Sequence, residues 1–301
     1  MDEPWDDVEQ AGAWLLALER ALTPDVVHLN GYAHGALPWR APAVVVAHSC
    51  VLSWWRAVRG AEAPRPWERY RAAVSRGIAG AALVVAPTRA MLESLTADYG
   101  PVVAGRVVPN GRAAAAYPPA AKEPLVLTAG RVWDEAKNVA AVVDAAAGLS
   151  WPVLVAGDHA PPDGAGGLRG LPRLTGGVRF LGRLPQRALA AWLGRASVYA
   201  LPARYEPFGL SALEAALARC ALVLGDLPSL REVWGDAPVY VDPASPTALG
   251  DALRSLAAAA ALREEHARRC RARALGYTPE RMATGYLDAY GAAALREATC
   301  A

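Results

Sequence analysis

The chain has little of what would mark a secreted, membrane-spanning or nucleic-acid-binding protein. Its 301 residues hold four cysteines, Cys50, Cys220, Cys270 and Cys300. They lie far apart and form neither a CxxC pair nor a metal-ligand spacing, so reduced thiols in a cytoplasmic protein are expected. No apolar run reaches the roughly 20 residues of a membrane-spanning helix. The acidic opening Met1-Asp-Glu-Pro-Trp-Asp-Asp7 does not read as a signal peptide. A net charge of +2 gives no electrostatic reason to expect nucleic acid. In residues 1–113, 11 acidic residues balance 11 basic ones, so no polybasic segment marks a membrane-docking surface. Peripheral membrane contact of another kind stays open. Lysine is scarce while alanine, arginine, glycine and proline abound, a pattern that points to coding bias more than to function.

Hydrophobic residues make up 53% of a chain too long for one ordinary core, and two domains are expected. Strand and helix patterns alternate, which argues for parallel α/β sheets. Val8, Ala11, Leu15, Leu18 and Leu22 mark one face of a first helix. Short valine-rich runs at 26–29, 43–47, 83–86 and 106–108 read as buried strands. Thr88 is a fitting N-cap for a helix over 89–99. Asn110-Gly111 makes a turn before an Ala/Pro-rich connector, and the domain boundary is placed after residue 113. Strands are expected again at 125–128, 152–156, 178–181, 197–201, 221–224 and 239–241. Long helical patterns follow at 246–274, broken near Ala261, and at 279–297. Open sheets of this kind bind ligands at the carboxyl ends of their strands, so the loops 130–137, 182–185 and 202–209 can share one rim.

The densest chemistry lies in Arg204-Tyr-Glu-Pro-Phe-Gly-Leu-Ser-Ala-Leu-Glu214. Two carboxylates, Glu206 and Glu214, flank a glycine-bearing turn that runs into an alanine-rich helix, 212–218. The free N–H groups of such a helix start favour an anion. A diphosphate between two hydroxyl-rich rings would suit that layout. Ser211 and Glu214 also fit a capping box, and Glu206 also fits a solvated loop acid. Arg131 and Lys137 stand six positions apart just past a strand end; they suit phosphate oxygens, or they are solvated surface cations. His48 directly follows a strand, where it would donate to a sugar hydroxyl or phosphate, or simply pack. Gly164-Ala-Gly-Gly-Leu-Arg-Gly170 fails the dinucleotide-fingerprint spacing and reads as a loop.

Together the segments Val107-Val-Pro-Asn-Gly111, Gly130-Arg131 with Lys137-Asn138, Arg179-Phe-Leu-Gly182, Glu206 through Glu214 and Leu230-Arg-Glu-Val233 resemble the family 4 retaining glycosyltransferases of the GT-B fold. The resemblance runs from about Val26 onward. It implies two Rossmann-like domains facing each other, over 1–113 and 114–275, with a last helix, 276–301, returning to the first. It also implies a nucleotide-sugar donor, no metal or other cofactor, and an acceptor left unidentified. By position, Glu214 would bind the ribose and Glu206 the donor sugar. Backbone groups of Phe208, Gly209, Leu210 and Ser211 would meet the sugar and distal phosphate. Arg131 and Lys137 would hold the diphosphate, Gly182 and Arg183 would lie near the base, and His48 beside the sugar. Family members open with a strand and a glycine-rich loop that this chain lacks. A truncated first domain is therefore expected, with an exposed apolar patch near 26–29 or 43–47. The competing expectation is a nucleotide-sugar-binding remnant that is inactive without that segment or a partner chain. A third is a GT-B relative, such as an epimerase, that needs no acceptor.

Overall fold

The computed structural model describes residues 5–160, 174–175 and 177–300. In chain order the first elements are α1 (Trp5–Leu22), β1 (Val27–Leu29), β2 (Ala43–Val46), α2 (Val51–Arg59) and α3 (Glu68–Gly80). Then come β3 (Leu83–Ala86), α4 (Arg89–Tyr99) and β4 (Gly105–Val107). The second series is β5 (Glu123–Ala129), α5 (Val139–Ala145), β6 (Val153–Ala156), β7 (Leu174–Thr175) and β8 (Val178–Gly182). It continues with α6 (Gln186–Arg195), β9 (Ala196–Leu201), α7 (Leu210–Leu217), β10 (Ala221–Gly225), α8 (Pro228–Trp234) and β11 (Val239–Val241). Three helices close the chain: α9 (Pro246–Ala258), α10 (Ala260–Ala274) and α11 (Pro279–Cys300). Contacts divide these into two units, Met1–Pro109 with Glu280–Ala301, and Asn110–Pro279.

The first unit holds a parallel sheet in the order β1-β2-β3-β4. All four residues of β2 and of β3 are buried, as strands covered on both faces must be. Alternation sorts their side chains between two clusters. Val45 and Val84 join Leu29, Ile78 and Leu95 on one face. Val44, Val46 and Val85 meet Val108, Ala289 and Ala293 on the other, the two alanines coming from α11. Thr88 caps α4 by accepting from the Met91 N–H at 3.2 Å. Glu19, buried on α1, accepts from the Arg40 and Ala41 N–H groups at 2.7 and 2.9 Å and so fixes the approach to β2. The strand β1 forms the sheet edge, but the expected apolar patch is not there. Leu29 and Ala43–Ala47 are buried, and Val26 packs half-buried against the cluster of Val44, Val46, Val85 and Ala289.

The second unit holds a sheet in the order β11-β10-β9-β5-β6-β8-β7, parallel except for the short antiparallel β7. One face carries Leu127, Leu154, Tyr199 and Leu222 against α6, α7 and α10. The other carries Val126, Val155, Val198 and Val223 against α5 and α9. The break between α9 and α10 falls at Ala259, two residues before the position read from sequence. Central β5 and β9 bring their carboxyl ends to one side of the sheet, and the functional loops leave from there.

Candidate functional site

Loops leaving β5, β6, β8 and β9 are tied into one rim by backbone hydrogen bonds. The Val132 N–H donates to Asp158 O at 2.9 Å, Gly157 to Gly182 O at 2.8 Å, and Arg204 to Ala136 O at 2.8 Å. Asn138 adds a clamp: its Nδ2 donates to Pro202 O at 3.0 Å and to Pro243 O at 2.9 Å. Its backbone is left-handed, at φ 55°, a conformation that asparagine tolerates better than most residues. At Gly157, φ is 142° and a Cβ would fall 1.7 Å from Gly130 O, so only glycine lets these two loops meet.

Glu206 sits at the centre of the rim. Its Oε2 accepts from Lys137 Nζ at 2.7 Å, and both side chains are largely buried, 12% and 18% exposed. Its Oε1 accepts from the Gly209 N–H at 2.9 Å and, longer, from the Phe208 N–H at 3.4 Å. The carboxylate is therefore held between a cation and the start of α7. The capping box that Ser211 and Glu214 also fit does not form. Helix α7 begins two residues earlier than read, at Leu210, and its N-cap is Gly209 at φ 88°. Serine therefore sits inside the first turn, where it engages Tyr199, and Glu206 supplies the acceptor at the helix start. The strand before this turn ends at Leu201, five residues ahead of Glu206.

Glu214 lies one turn into α7. Its Oε1 accepts from Arg112 Nε at 2.9 Å. The Arg112 N–H in turn donates to Tyr277 O at 3.0 Å. Burial raises the Tyr117 phenol, a bond from Gln186 offsets part of this, and the Glu214 charge raises it again. Tyr199 is fully buried, its hydroxyl donating to Ala129 O at 3.0 Å. Burial is the main reason its pKa is raised, and the Glu214 and Glu206 carboxylates both add to the shift. The two acids therefore act on one buried ring.

The remaining positions differ in setting. Arg131 is mostly exposed; it pairs with the buried Asp134 at 2.7 Å and lies 5.3 Å from the Trp133 ring centre. Gly182 adopts φ 68°, and Arg183 after it is exposed. Phe208 is buried edge-on to Tyr277, and Leu210 is half-buried. The glycine-rich stretch from Gly164 to Gly170 lies outside the described residues.

His48 belongs to the first unit, just past β2. It is neither packed away nor free. Its Nε2 is 2.8 Å from Asn30 Oδ1, which also lies 3.3 Å from His28 Nε2; His28 Nδ1 is 2.7 Å from the Tyr290 hydroxyl. An amide oxygen only accepts, so each imidazole carries its proton on Nε2. His28 Nδ1 then accepts from the tyrosine. Desolvation, and secondarily His28, lower the His48 pKa.

Reading the sequence missed Arg112, Asn30, His28, Tyr290 and Tyr117 as members of these networks. Arg112 directly follows Asn110-Gly111 and Asn30 stands at the end of β1, so position was the only available signal. Among the described residues, no three His, Cys, Asp or Glu side chains cluster to hold a metal ion. No helix among them is long and apolar enough to cross a membrane.

Two Rossmann-like α/β domains, each built on a mainly parallel sheet, make up the GT-B fold. Residues 5–114 match the family described as Glycosyltransferase Family 4, and residues 123–259 the family described as Glycosyl transferases group 1. The two matches follow one another along the chain. It is 30% identical over 281 residues to a glycogen synthase of Mycobacterium tuberculosis, covering 86% of this chain and 66% of that protein. It therefore spans a little under two thirds of that relative's length. A 68-residue stretch is 38% identical to the O-antigen chain mannosyltransferase B of Escherichia coli, covering 23% of this chain and 18% of that protein. Among solved structures, sucrose-phosphate synthase from Thermosynechococcus elongatus superposes with a TM-score of 0.82 at 20% identity, covering 94% of this chain and 77% of that one. Anabaena HepE in complex with UDP gives 0.75 at 17% identity, covering 92% and 80%.

Proposed function

We propose that this chain is a retaining glycosyltransferase that takes a sugar from a nucleoside-diphosphate donor without a metal ion. The observation that carries the reading is the convergence of Lys137, Glu206 and the start of α7 on one rim. Breaking a sugar–phosphate bond builds negative charge on the leaving diphosphate. Lys137, Arg131 and the N–H groups of Phe208, Gly209, Leu210 and Ser211 would stabilise that charge where a metal otherwise would. Glu214, with Oε1 held by Arg112, would accept from the ribose hydroxyls. Glu206 would orient the sugar, and Gly182 and Arg183 would border the base. Anabaena HepE has been crystallised with UDP, UDP-glucose, and UDP with glucose, which supports a donor of this class here. His48 is assigned a hydrogen bond to the donor sugar by the family resemblance alone. The acceptor has no assigned residue.

Incubating the protein with UDP-, GDP- and ADP-sugars and following diphosphate release tests the reading. The expected result is release from one donor class, undiminished by a chelator, with the product keeping the donor's anomeric configuration by NMR. An inverted product would overturn retention. Loss of the reaction with chelator would overturn metal independence.

A further inference from the structure

The geometry points to Glu206 as a resident occupant of the anion site, which holds the place of the donor's distal phosphate and leaves when that phosphate arrives. This rests on the donor-site reading above and extends it to how carboxylate and phosphate share the same donors. Lys137 Nζ at 2.7 Å, the Gly209 N–H at 2.9 Å and the Phe208 N–H at 3.4 Å all converge on this one carboxylate. They are the same donors that the proposed mode gives to the diphosphate. A backbone N–H carries one hydrogen and cannot serve carboxylate and phosphate at full strength. Two anions side by side also repel in a site of reduced dielectric. Arrival of a phosphate therefore requires the Glu206 carboxylate to move.

The local structure lets the side chain move without the loop. Ser229 Oγ donates to Glu206 O at 2.5 Å and anchors the backbone. Rotation of side-chain torsions alone then carries the carboxylate off the helix start. A nucleotide-sugar offers hydroxyls to receive the displaced carboxylate, whereas a bare diphosphate offers none. The same device therefore favours the donor over the spent nucleoside diphosphate, and the returning carboxylate would help expel that product.

The alternative is that Glu206 only caps α7, in which case its loss cannot tighten a ligand. Glu206→Gln and Glu206→Ala, with the wild type and Arg131→Ala, are titrated by calorimetry with inorganic pyrophosphate and with UDP, GDP and ADP. None of these probes carries the donor sugar, so a lost contact of Glu206 with that sugar does not enter. Thermal unfolding is recorded on the same samples. The expected result is affinity about ten-fold higher in Glu206→Ala, for a charged competitor removed, with a smaller gain in Glu206→Gln and a lower Tm in both. Tighter binding from a less stable protein is a combination that a pure cap does not give. Detectable binding by Glu206→Ala where the wild type shows none would support the inference in its strongest form. If the wild type binds and Arg131→Ala weakens it, while both Glu206 variants bind equally or more weakly, the inference fails and the donor site stands. If no variant binds any probe, the donor-site reading fails and takes the inference with it.

Discussion

Arg112 and Glu214 form an ion pair at 2.9 Å that joins the start of the second unit to the interior of its α7 helix. The pair commits Oε1 of the carboxylate, and the Tyr117 hydroxyl engages the same carboxylate. Glu214→Gln should weaken the binding of a ribonucleoside diphosphate about ten-fold, since an ionised acceptor is worth more than an amide. With the 2′-deoxy analogue the same substitution should cost much less. Calorimetry on the four combinations checks this; an equal penalty for both sugars would remove Glu214 from the ribose. Arg112→Met should weaken the ribonucleotide in the same direction, through the lost orientation.

The two cations of the β5 loop are expected to act on phosphate. Arg131→Ala and Lys137→Ala should each weaken nucleoside diphosphate binding by about 1–3 kcal/mol, the range for charged hydrogen bonds. Nucleoside binding, without phosphates, should be unchanged. A nucleoside that loses as much affinity as the diphosphate would place these side chains elsewhere on the ligand.

His48 supplies a pH dependence whose sign follows from its lowered pKa. Below the ordinary histidine range the unfolded chain takes up the proton more readily than the folded one. The His48 contribution to stability is thus present above that range and lost as pH falls through the folded value. His48→Gln should flatten the fall in Tm between about pH 6.5 and 5. A wild-type and variant curve that stay parallel would contradict this. Asn30→Ala should also release the Nε2–H tautomer, which nitrogen chemical shifts of the two imidazoles report directly.

Lys122 is a structural cation. Its Nζ donates to Leu193 O, Ala196 O and Ala218 O at 3.1, 2.8 and 2.7 Å, and burial lowers its pKa. Lys122→Ala leaves three carbonyls short of a donor and should destabilise the protein by about 2–4 kcal/mol. Chemical denaturation measures it. A loss below about 1 kcal/mol would show that water replaces the ammonium.

Most of the fold was legible because parallel strands announce themselves. Runs buried on both faces must be continuously apolar, and 83–86 and 239–241 were placed to the residue. The start of α7 was misjudged because Ser211 and Glu214 have capping chemistry, yet the structure satisfies the helix start from Glu206, before the helix. The apolar patch expected on the first sheet failed for a similar reason: the cluster over Val44 and Val46 takes in Ala289, Ala293, Tyr286 and Tyr290 of α11, some 240 residues later in the chain, a distance local patterns do not bridge. Position along the chain brought Lys137 and Glu206 to notice. Their contact, like that of Arg112 with Glu214, is long-range, and neither spacing nor propensity encodes it.

The most direct test of the central claim is a calorimetric titration of wild-type protein with UDP, GDP and ADP, repeated on Lys137→Ala. The account expects saturable one-site binding of at least one of these, weakened about ten-fold or more in the variant, as loss of a charged hydrogen bond to phosphate requires. No binding of any nucleoside diphosphate by the wild type or by Glu206→Ala, or binding that Lys137→Ala leaves unchanged, would contradict it.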